Sequence, residues 1–218
     1  MGLILCLETA TKNCSVALSE NGSVIAFKEI TTAGYSHAEN LHVFIEDVIN
    51  QSSKKLSDLD AIAVSKGPGS YTGLRIGVSA AKGLCYALNI ALISLETLDI
   101  LAQQVKEKSI IIPMLDARRM EVYSAVYNTD KKRIRDTQAQ ILDENSFSQQ
   151  LSEGKITFIG DGVEKFEAIC DHDNATFITD ALPSAKDMAV LAEIKHKKND
   201  TEDVAYFEPY YLKDFKVG

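Results

Sequence analysis

The stretch SKGPGSYTGLRIG, residues 65–77, decides how this chain folds. It follows an apolar run, residues 61–64, that has the length of a buried strand. Its Gly-Pro-Gly sequence breaks that strand and turns the chain. Ser70 can then cap a helix, because its hydroxyl oxygen can accept a hydrogen bond from one of the first free backbone N–H groups. The sequence therefore predicts a strand, a tight turn and a helix over residues 71–88.

Small residues recur along the predicted helix. Glycine in a helix interior costs about 1 kcal/mol relative to alanine, so several glycines need a compensating reason. Close approach of another backbone is the favoured reason, and either a neighbouring helix or a bound partner could provide it. A phosphate held by the free N–H groups at the helix start is an alternative, although the spacing matches neither a Walker A loop nor a dinucleotide-binding fingerprint. The small residues are Gly73, Gly77, Ala80, Ala81 and Gly83.

Composition narrows the classes of function. The 218 residues carry a net charge of −8 and are 45% hydrophobic, which is ordinary for a globular protein of one large or two small α/β domains. Because nucleic-acid binding depends on neutralising phosphates, the negative charge argues against direct binding of RNA, and any such contact is expected to run through a partner or a small local patch. The four cysteines form no Cys-x-x-Cys pair and are expected to be free thiols. We find no signal peptide and no apolar run of membrane-spanning length, so we expect a cytoplasmic protein without a membrane partner.

The same succession of strand-like apolar runs occurs twice along the chain. Residues 3–7 and residues 110–115 are apolar runs of strand length. The first run ends in Glu8 and the second in Asp116, and each is followed by another strand-like run. Strands followed by a helix and a further strand, used twice, predict a duplicated α/β architecture.

The repeat divides the chain into two subdomains. We expect the first at residues 1–100 and the second at residues 101–218. Two helices of the first subdomain stand out: residues 37–50 place apolar side chains on one face, and residues 71–88 carry the small residues described above. Each helix needs one face to pack on its own sheet, and both are candidates for binding a partner.

Six motifs occur in order along the chain: ETAT (residues 8–11), CSVAL (14–18), SHAENL (36–41), KGPGSYTGLRIG (66–77), LDARRMEVY (115–123) and EPYYLK (208–213). Together they resemble the bacterial TsaB (YeaZ) family, and the likeness covers nearly the whole chain. The resemblance implies an α/β fold of the actin/Hsp70/sugar-kinase-like (ASKHA) class, with two related subdomains that each have a mixed sheet flanked by helices. It also implies a role in making threonylcarbamoyladenosine beside the anticodon of tRNA.

The resemblance also implies how the work is divided between subunits. In that family this kind of chain is a non-catalytic subunit that binds the related transferase, TsaD, and supports turnover together with the ATPase TsaE. No cofactor is then expected on this chain itself, ATP is used by the complex, and tRNA is contacted only indirectly. Family members associate through the two helices described above, which could also pair two copies of this chain. The implied interface residues are Leu41, Ile45, Tyr71, Thr72, Gly73, Ile76, Gly77, Ala80 and Ala81.

Few residues are expected to carry chemistry. The catalytic relative has a His-x-x-x-His metal motif whose two positions fall on Leu95 and Asp99 here, so we expect neither a metal site nor a catalytic residue. Glu8 occupies the place where phosphotransferases of this fold class keep an aspartate, so the residues around it are candidates for weak contacts with a nucleotide or phosphate. Turn formation and helix capping explain the same residues without a ligand. The candidate contacts are Glu8, Thr9, Gly69 and Ser70. A stand-alone ATP-dependent phosphotransferase and a metallopeptidase are the enzyme alternatives, and the missing histidines disfavour the second.

Overall fold

The computed structural model describes residues 2–32 and 37–213. Ser36 of the SHAENL motif and the last residues of the predicted second subdomain, 214–218, lie outside the described chain. The chain divides into two units. One comprises residues 1–100 and the chain from Pro183 onward, and the other comprises Leu101–Leu182.

In each unit three consecutive strands are followed by helices and strands that alternate along the described chain. No helix among them is both long and apolar enough to cross a membrane. In chain order the elements are β1 Leu3–Glu8, β2 Asn13–Glu20, β3 Ser23–Thr31, α1 His37–Ser52, a 3-10 helix Leu56–Asp58, β4 Ala61–Gly67, α2 Tyr71–Leu88, β5 Ala91–Glu96, α3 Thr97–Ala102, β6 Ile110–Asp116, β7 Glu121–Tyr127, β8 Arg133–Ile141, α4 Ser148–Glu153, β9 Ile156–Ile159, α5 Glu164–Glu167, β10 Ala175–Ile178, a 3-10 helix Ala185–Met188 and α6 Ala189–Lys197.

The first unit is built on a mixed sheet with the strand order β3-β2-β1-β4-β5. Strand β1 pairs antiparallel with β2 and parallel with β4. It is buried on both faces because its side chains alternate between two cores. Leu3, Leu5 and Leu7 pack with buried residues of α1 and α2. Ile4 and Cys6 pack with residues of α3, α6 and the second 3-10 helix. Helices α1 and α2 therefore lie on one face of this sheet.

The second unit repeats the topology of the first. Its strand order is β8-β7-β6-β9-β10, so β6 takes the central place of β1 and pairs antiparallel with β7 and parallel with β9. A cluster of aromatic rings fills part of its core: Phe147, Phe158, Phe166 and Phe177. The repeated order confirms the prediction of two related subdomains, each with a mixed sheet flanked by helices.

The predicted extent of the second subdomain, residues 101–218, is wrong at its end, because the last part of the described chain returns to the first sheet. Helix α6 packs against β1 and β5. Before it, Asn13 Nδ2 donates a hydrogen bond to Pro183 O (3.0 Å). The next turn is held by Ser15 Oγ, which accepts a hydrogen bond from Ala185 N–H (2.9 Å). A repeat of two halves predicts a single boundary between the subdomains, so it does not reveal that the chain from Pro183 onward belongs to the first unit.

Candidate functional site

The candidate site is the place where the turn between β1 and β2 meets the first turn of α2. Thr9 Oγ1 donates a hydrogen bond to Gly73 O (2.8 Å), and Ser70 N–H donates one to Ala10 O (2.7 Å). A Cβ atom added at Gly73 would clash with Thr9 O, and one added at Gly69 would clash with Ala10 O. Gly69 and Gly73 are thus explained by close approach of the chain's own turn, rather than of a neighbouring helix or a partner.

Ser70 caps α2, as the sequence predicts. Its Oγ accepts a hydrogen bond from Gly73 N–H (3.3 Å), and its carbonyl oxygen accepts one from Leu74 N–H (2.9 Å). The bond from Gly73 satisfies a backbone N–H group that an uncapped helix end leaves without a partner, and the bond from Leu74 is the first regular hydrogen bond within α2. The start of α2 is therefore stabilised from within the chain, without a ligand.

Glu8, the last residue of β1, is completely buried. Its Oε1 accepts hydrogen bonds from Ala10 N–H (2.6 Å) and from Ser65 Oγ (2.9 Å), which ties the β1–β2 turn to β4. Burial removes hydration from the charged form and raises the pKa of this carboxyl from 4.5 to about 7, against the opposing effect of the hydrogen bonds. A carboxyl group buried in this way has no solvent-exposed oxygen to offer a metal–nucleotide complex.

His37 joins the start of α1 to the same turn. The side chain is buried, and its ring Nε2 donates a hydrogen bond to Thr11 O (2.8 Å). Burial lowers the pKa of the imidazole, because the protonated ring would lose its hydration. Helices α1 and α2 therefore both contact the β1–β2 turn.

Most of the implied interface residues face the interior of the first unit. Leu41 and Ile45 of α1 pack in the core beneath the helix, and a Cβ atom added at Gly77 of α2 would clash with Thr9 Oγ1. The prediction of direct partner contact is wrong for these buried residues, because apolar and small-residue stripes mark the helix faces that pack on the chain's own sheet and turn. The buried members are Leu41, Ile45, Gly73, Gly77, Ala80 and Ala81, whereas Tyr71, Thr72 and Ile76 are partly or fully exposed.

The outward faces of the two helices carry a different set of residues. Val43 of α1 is 53% exposed, and Tyr86 of α2 is 84% exposed. Ser79 and Gly83 are also exposed on α2, and a Cβ atom added at Gly83 would meet no atom within 4 Å. The sequence does predict this face. On a helix of 3.6 residues per turn, it is the side opposite the apolar or small-residue stripe that is buried.

A segment of the C-terminal chain, residues 202–212, contacts α2; we call it the strap. Lys82 Nζ donates a hydrogen bond to Phe207 O (2.8 Å) of the strap. Further along, Tyr210 N–H donates to Lys66 O (2.7 Å), beside the turn that precedes α2. The EPYYLK motif thus contacts the KGPGSYTGLRIG motif through the main chain of Tyr210 and Lys66.

The two positions to which the family resemblance assigns a histidine pair are Leu95 and Asp99. Leu95 is buried in the core of the first unit, and Asp99 lies in the first turn of α3. Across residues 2–32 and 37–213, no three His, Cys, Asp or Glu side chains are grouped so that they could hold a metal ion.

Comparison with known proteins agrees with the motifs. A family model described as TsaD, tRNA N6-adenosine threonylcarbamoyltransferase, matches residues 31–217. The tRNA threonylcarbamoyladenosine biosynthesis protein TsaB of Escherichia coli K12 is 32% identical over 222 residues, which cover 97% of this chain and 94% of that protein. The chain belongs to the TsaB (YeaZ) family. The family resemblance that the motifs indicate is thereby confirmed.

Solved structures extend the comparison to the fold. YeaZ from Pseudomonas aeruginosa superposes with a TM-score of 0.84 at 27% identity, covering 97% of this chain and 100% of that one. The ethanolamine utilization protein EutJ from Carboxydothermus hydrogenoformans shares only 11% identity, covers 87% of this chain and 89% of that one, and gives a TM-score of 0.51, so it is similar in fold alone. The predicted ASKHA-like fold is confirmed. The buried Glu8 and the glycine-lined contact described above are therefore features of a TsaB-family chain.

Proposed function

We propose that this chain acts in tRNA threonylcarbamoyladenosine biosynthesis as a non-catalytic cytoplasmic subunit that binds a TsaD-type paralogue and activates it. Family membership supports the pathway, since the relatives carry that name. The complex uses ATP through a TsaE-type ATPase and contacts tRNA through the paralogue. The observation that carries the non-catalytic role is the state of Glu8, the acid at the end of β1.

A phosphotransferase of this fold class needs an acidic group at that position that can reach a bound metal–nucleotide. Glu8 instead is fully buried and accepts hydrogen bonds from Ala10 N–H and Ser65 Oγ. The adjacent Ser70 N–H, which could hold a phosphate at the start of α2, is bonded to Ala10 O. These contacts support a structural role for the ETAT and GPGS segments and disfavour the stand-alone phosphotransferase.

The surface proposed for the paralogue is the outward face of α1 and α2. These helices pack together on the same face of the first sheet, so their exposed sides are neighbours. Ser79 and Gly83 would let another helix approach α2 closely, and the exposed Val43 and Tyr86 supply apolar area to bury. Because the family model of the transferase itself matches this chain, the two subunits share a fold and could pair through equivalent helices. Two copies of this chain could pair in the same way.

Reconstitution tests the proposal. Threonylcarbamoyl transfer to tRNA is measured with the purified TsaD-type and TsaE-type proteins, with and without this chain. We expect transfer to require the chain, and the isolated chain to release no phosphate from ATP. Transfer that proceeds equally well without it would overturn the activator role. ATP turnover by the isolated chain, abolished by E8Q, would instead favour the phosphotransferase.

A further inference from the structure

A groove of about 430 Å³ lies between α2 and the strap. It is open to solvent and lies on the flank of the helix proposed to bind the paralogue. The side chains that line it include Arg75, Ser79, Lys82, Phe207, Glu208 and Tyr211. Two of these are cations in a chain whose net charge is −8, so the groove differs in charge from the chain as a whole.

Arg75 is held in one position by aromatic side chains. Its guanidinium carbon lies 4.4 Å from the centroid of the Tyr71 ring, and its Nε donates a hydrogen bond to Tyr211 OH (3.3 Å). The rings of Tyr71 and Tyr211 pack against each other at 4.7 Å between centroids. The Tyr71 ring covers one face of the guanidinium, and the bond to Tyr211 uses one of its three nitrogens. Among residues 2–32 and 37–213, no hydrogen bond or ion pair is formed by its two terminal nitrogens.

Lys82 fixes the other side of the groove. Its ammonium group donates hydrogen bonds to Phe207 O (2.8 Å) and Ala205 O (3.2 Å), both main-chain atoms of the strap. Glu208 is the acidic residue of the lining and lies close enough to Arg75 to raise its pKa further, after the larger effect of Tyr211. Two cations and one carboxylate leave the lining with a net charge of about one positive unit.

We infer that this groove receives a carboxylate side chain, Asp or Glu, of the protein that binds α2, with the free end of the Arg75 guanidinium as its ligand. The inference rests on the proposed function, because it needs a partner on α2. A planar guanidinium with two free terminal nitrogens fits a carboxylate bidentately. A single positive unit matches one carboxylate better than a doubly charged phosphate. The groove is also lined by Ser79, an exposed residue of the proposed helix face.

The test measures the dissociation constant of the TsaD-type paralogue for this chain and its variants by calorimetry at low and moderate salt. R75A should weaken binding roughly 10- to 100-fold, the range expected when a hydrogen bond between charged groups is removed. R75K keeps the positive charge but loses the two-pronged guanidinium, so its dissociation constant should lie between those of R75A and the parent. Y211F removes the hydroxyl that accepts the hydrogen bond from Arg75 Nε, and it should weaken binding of the paralogue severalfold. The matched control K108E reverses an exposed charge in the second unit and should change the constant by less than about threefold.

Charge reversal identifies the matching acid. R75E should bind poorly, and reversal of one surface Asp or Glu of the paralogue to Lys should restore its binding. If R75A and R75E bind as tightly as the parent, or if no reversal restores R75E, the groove does not receive a carboxylate. That outcome leaves the proposed function intact. Failure of the unaltered chain to bind the paralogue at all would overturn the proposed function itself, and the inference with it. Circular dichroism of each variant verifies that the exposed substitutions leave the fold unchanged.

Discussion

Thr9 Oγ1 donates a hydrogen bond of 2.8 Å to the carbonyl oxygen of Gly73, and this contact joins the β1–β2 turn to α2. The same turn contains the amide that bonds Glu8 and the carbonyl that accepts from His37 of α1. One short turn thus contacts both helices that carry the proposed partner surface. Changes to the turn should therefore alter stability and partner binding together.

Gly73→Ala tests the contact between the turn and α2. The added methyl group would clash with Thr9 O, a backbone atom that cannot move without displacing the turn. We expect G73A to lower the free energy of unfolding by about 1–3 kcal/mol, a typical cost of overpacking, as measured by urea denaturation. The matched control is G83A, whose methyl group would meet no atom within 4 Å. This control should raise stability by up to about 1 kcal/mol, the gain in helix propensity. Equal effects of the two substitutions would contradict the close packing.

Glu8→Gln tests the buried carboxyl group. Burial raises the pKa of Glu8 in the folded protein from 4.5 to about 7, so the folded state binds this proton more tightly than the unfolded state does. The stability contributed by the residue is therefore fully present below pH 4.5 and is lost as the pH rises through 7. The whole shift corresponds to about 3 kcal/mol.

Glutamine has the shape of the protonated acid and does not ionise. The free energy of unfolding of E8Q, relative to that of the parent, should therefore rise by about 2–3 kcal/mol between pH 5 and pH 8.5. Urea denaturation of both proteins at the two pH values measures this change. If the difference between the proteins were the same at both pH values, the carboxyl would not be buried as described.

Local signals made α2 predictable from the sequence. Ser70 caps the helix, and the small residues indicate that another part of the chain packs closely against it. The helix then ends where Asn89 adopts a left-handed conformation (φ 54°), which breaks the hydrogen-bond ladder. The repeated sheets were predictable for a similar reason, because buried central strands appear as continuous apolar runs.

Non-local contacts could not be predicted in this way. The apolar stripe of α1 reports that Leu41 is buried, but it does not say whether the chain's own sheet or a partner covers it. The contact of Thr9 with Gly73 joins residues 64 positions apart, and that of Asn13 with Pro183 joins residues 170 apart. Such pairs depend on the register and packing of whole elements. The sequence therefore indicated a close approach to α2 without identifying the segment that makes it.

Val43→Asp tests the outward face of α1. Val43 is 53% exposed, so a charged side chain there should leave the free energy of unfolding within about 0.5 kcal/mol of the parent. Binding of the paralogue should weaken at least tenfold, because a carboxylate would be desolvated without a partner at the interface. Calorimetric titration of the paralogue measures this loss.

Two matched variants complete that comparison. Leu41→Ala on the buried face of α1 should cost about 2–5 kcal/mol of stability, through the cavity that it leaves. Ile134→Asp replaces another exposed apolar side chain (61% exposed) on β8 of the second unit and should change neither stability nor binding. Parental affinity of V43D, or an equal loss for I134D, would remove α1 from the proposed surface.

Ser70→Ala and Ser70→Asp together separate helix capping from phosphate binding. Alanine removes the acceptor of the 3.3 Å hydrogen bond from Gly73 N–H and should lower the free energy of unfolding by about 1 kcal/mol. Aspartate is as good a cap as serine, so S70D should recover the lost stability, whereas its charge would repel any phosphate at the start of α2. If Ser70 serves only as a cap, both variants should support tRNA modification at the parental rate in the reconstituted complex, because a loss of about 1 kcal/mol leaves nearly all molecules folded. A rate that falls tenfold for S70D alone, with its stability retained, would instead assign a phosphate contact to this residue.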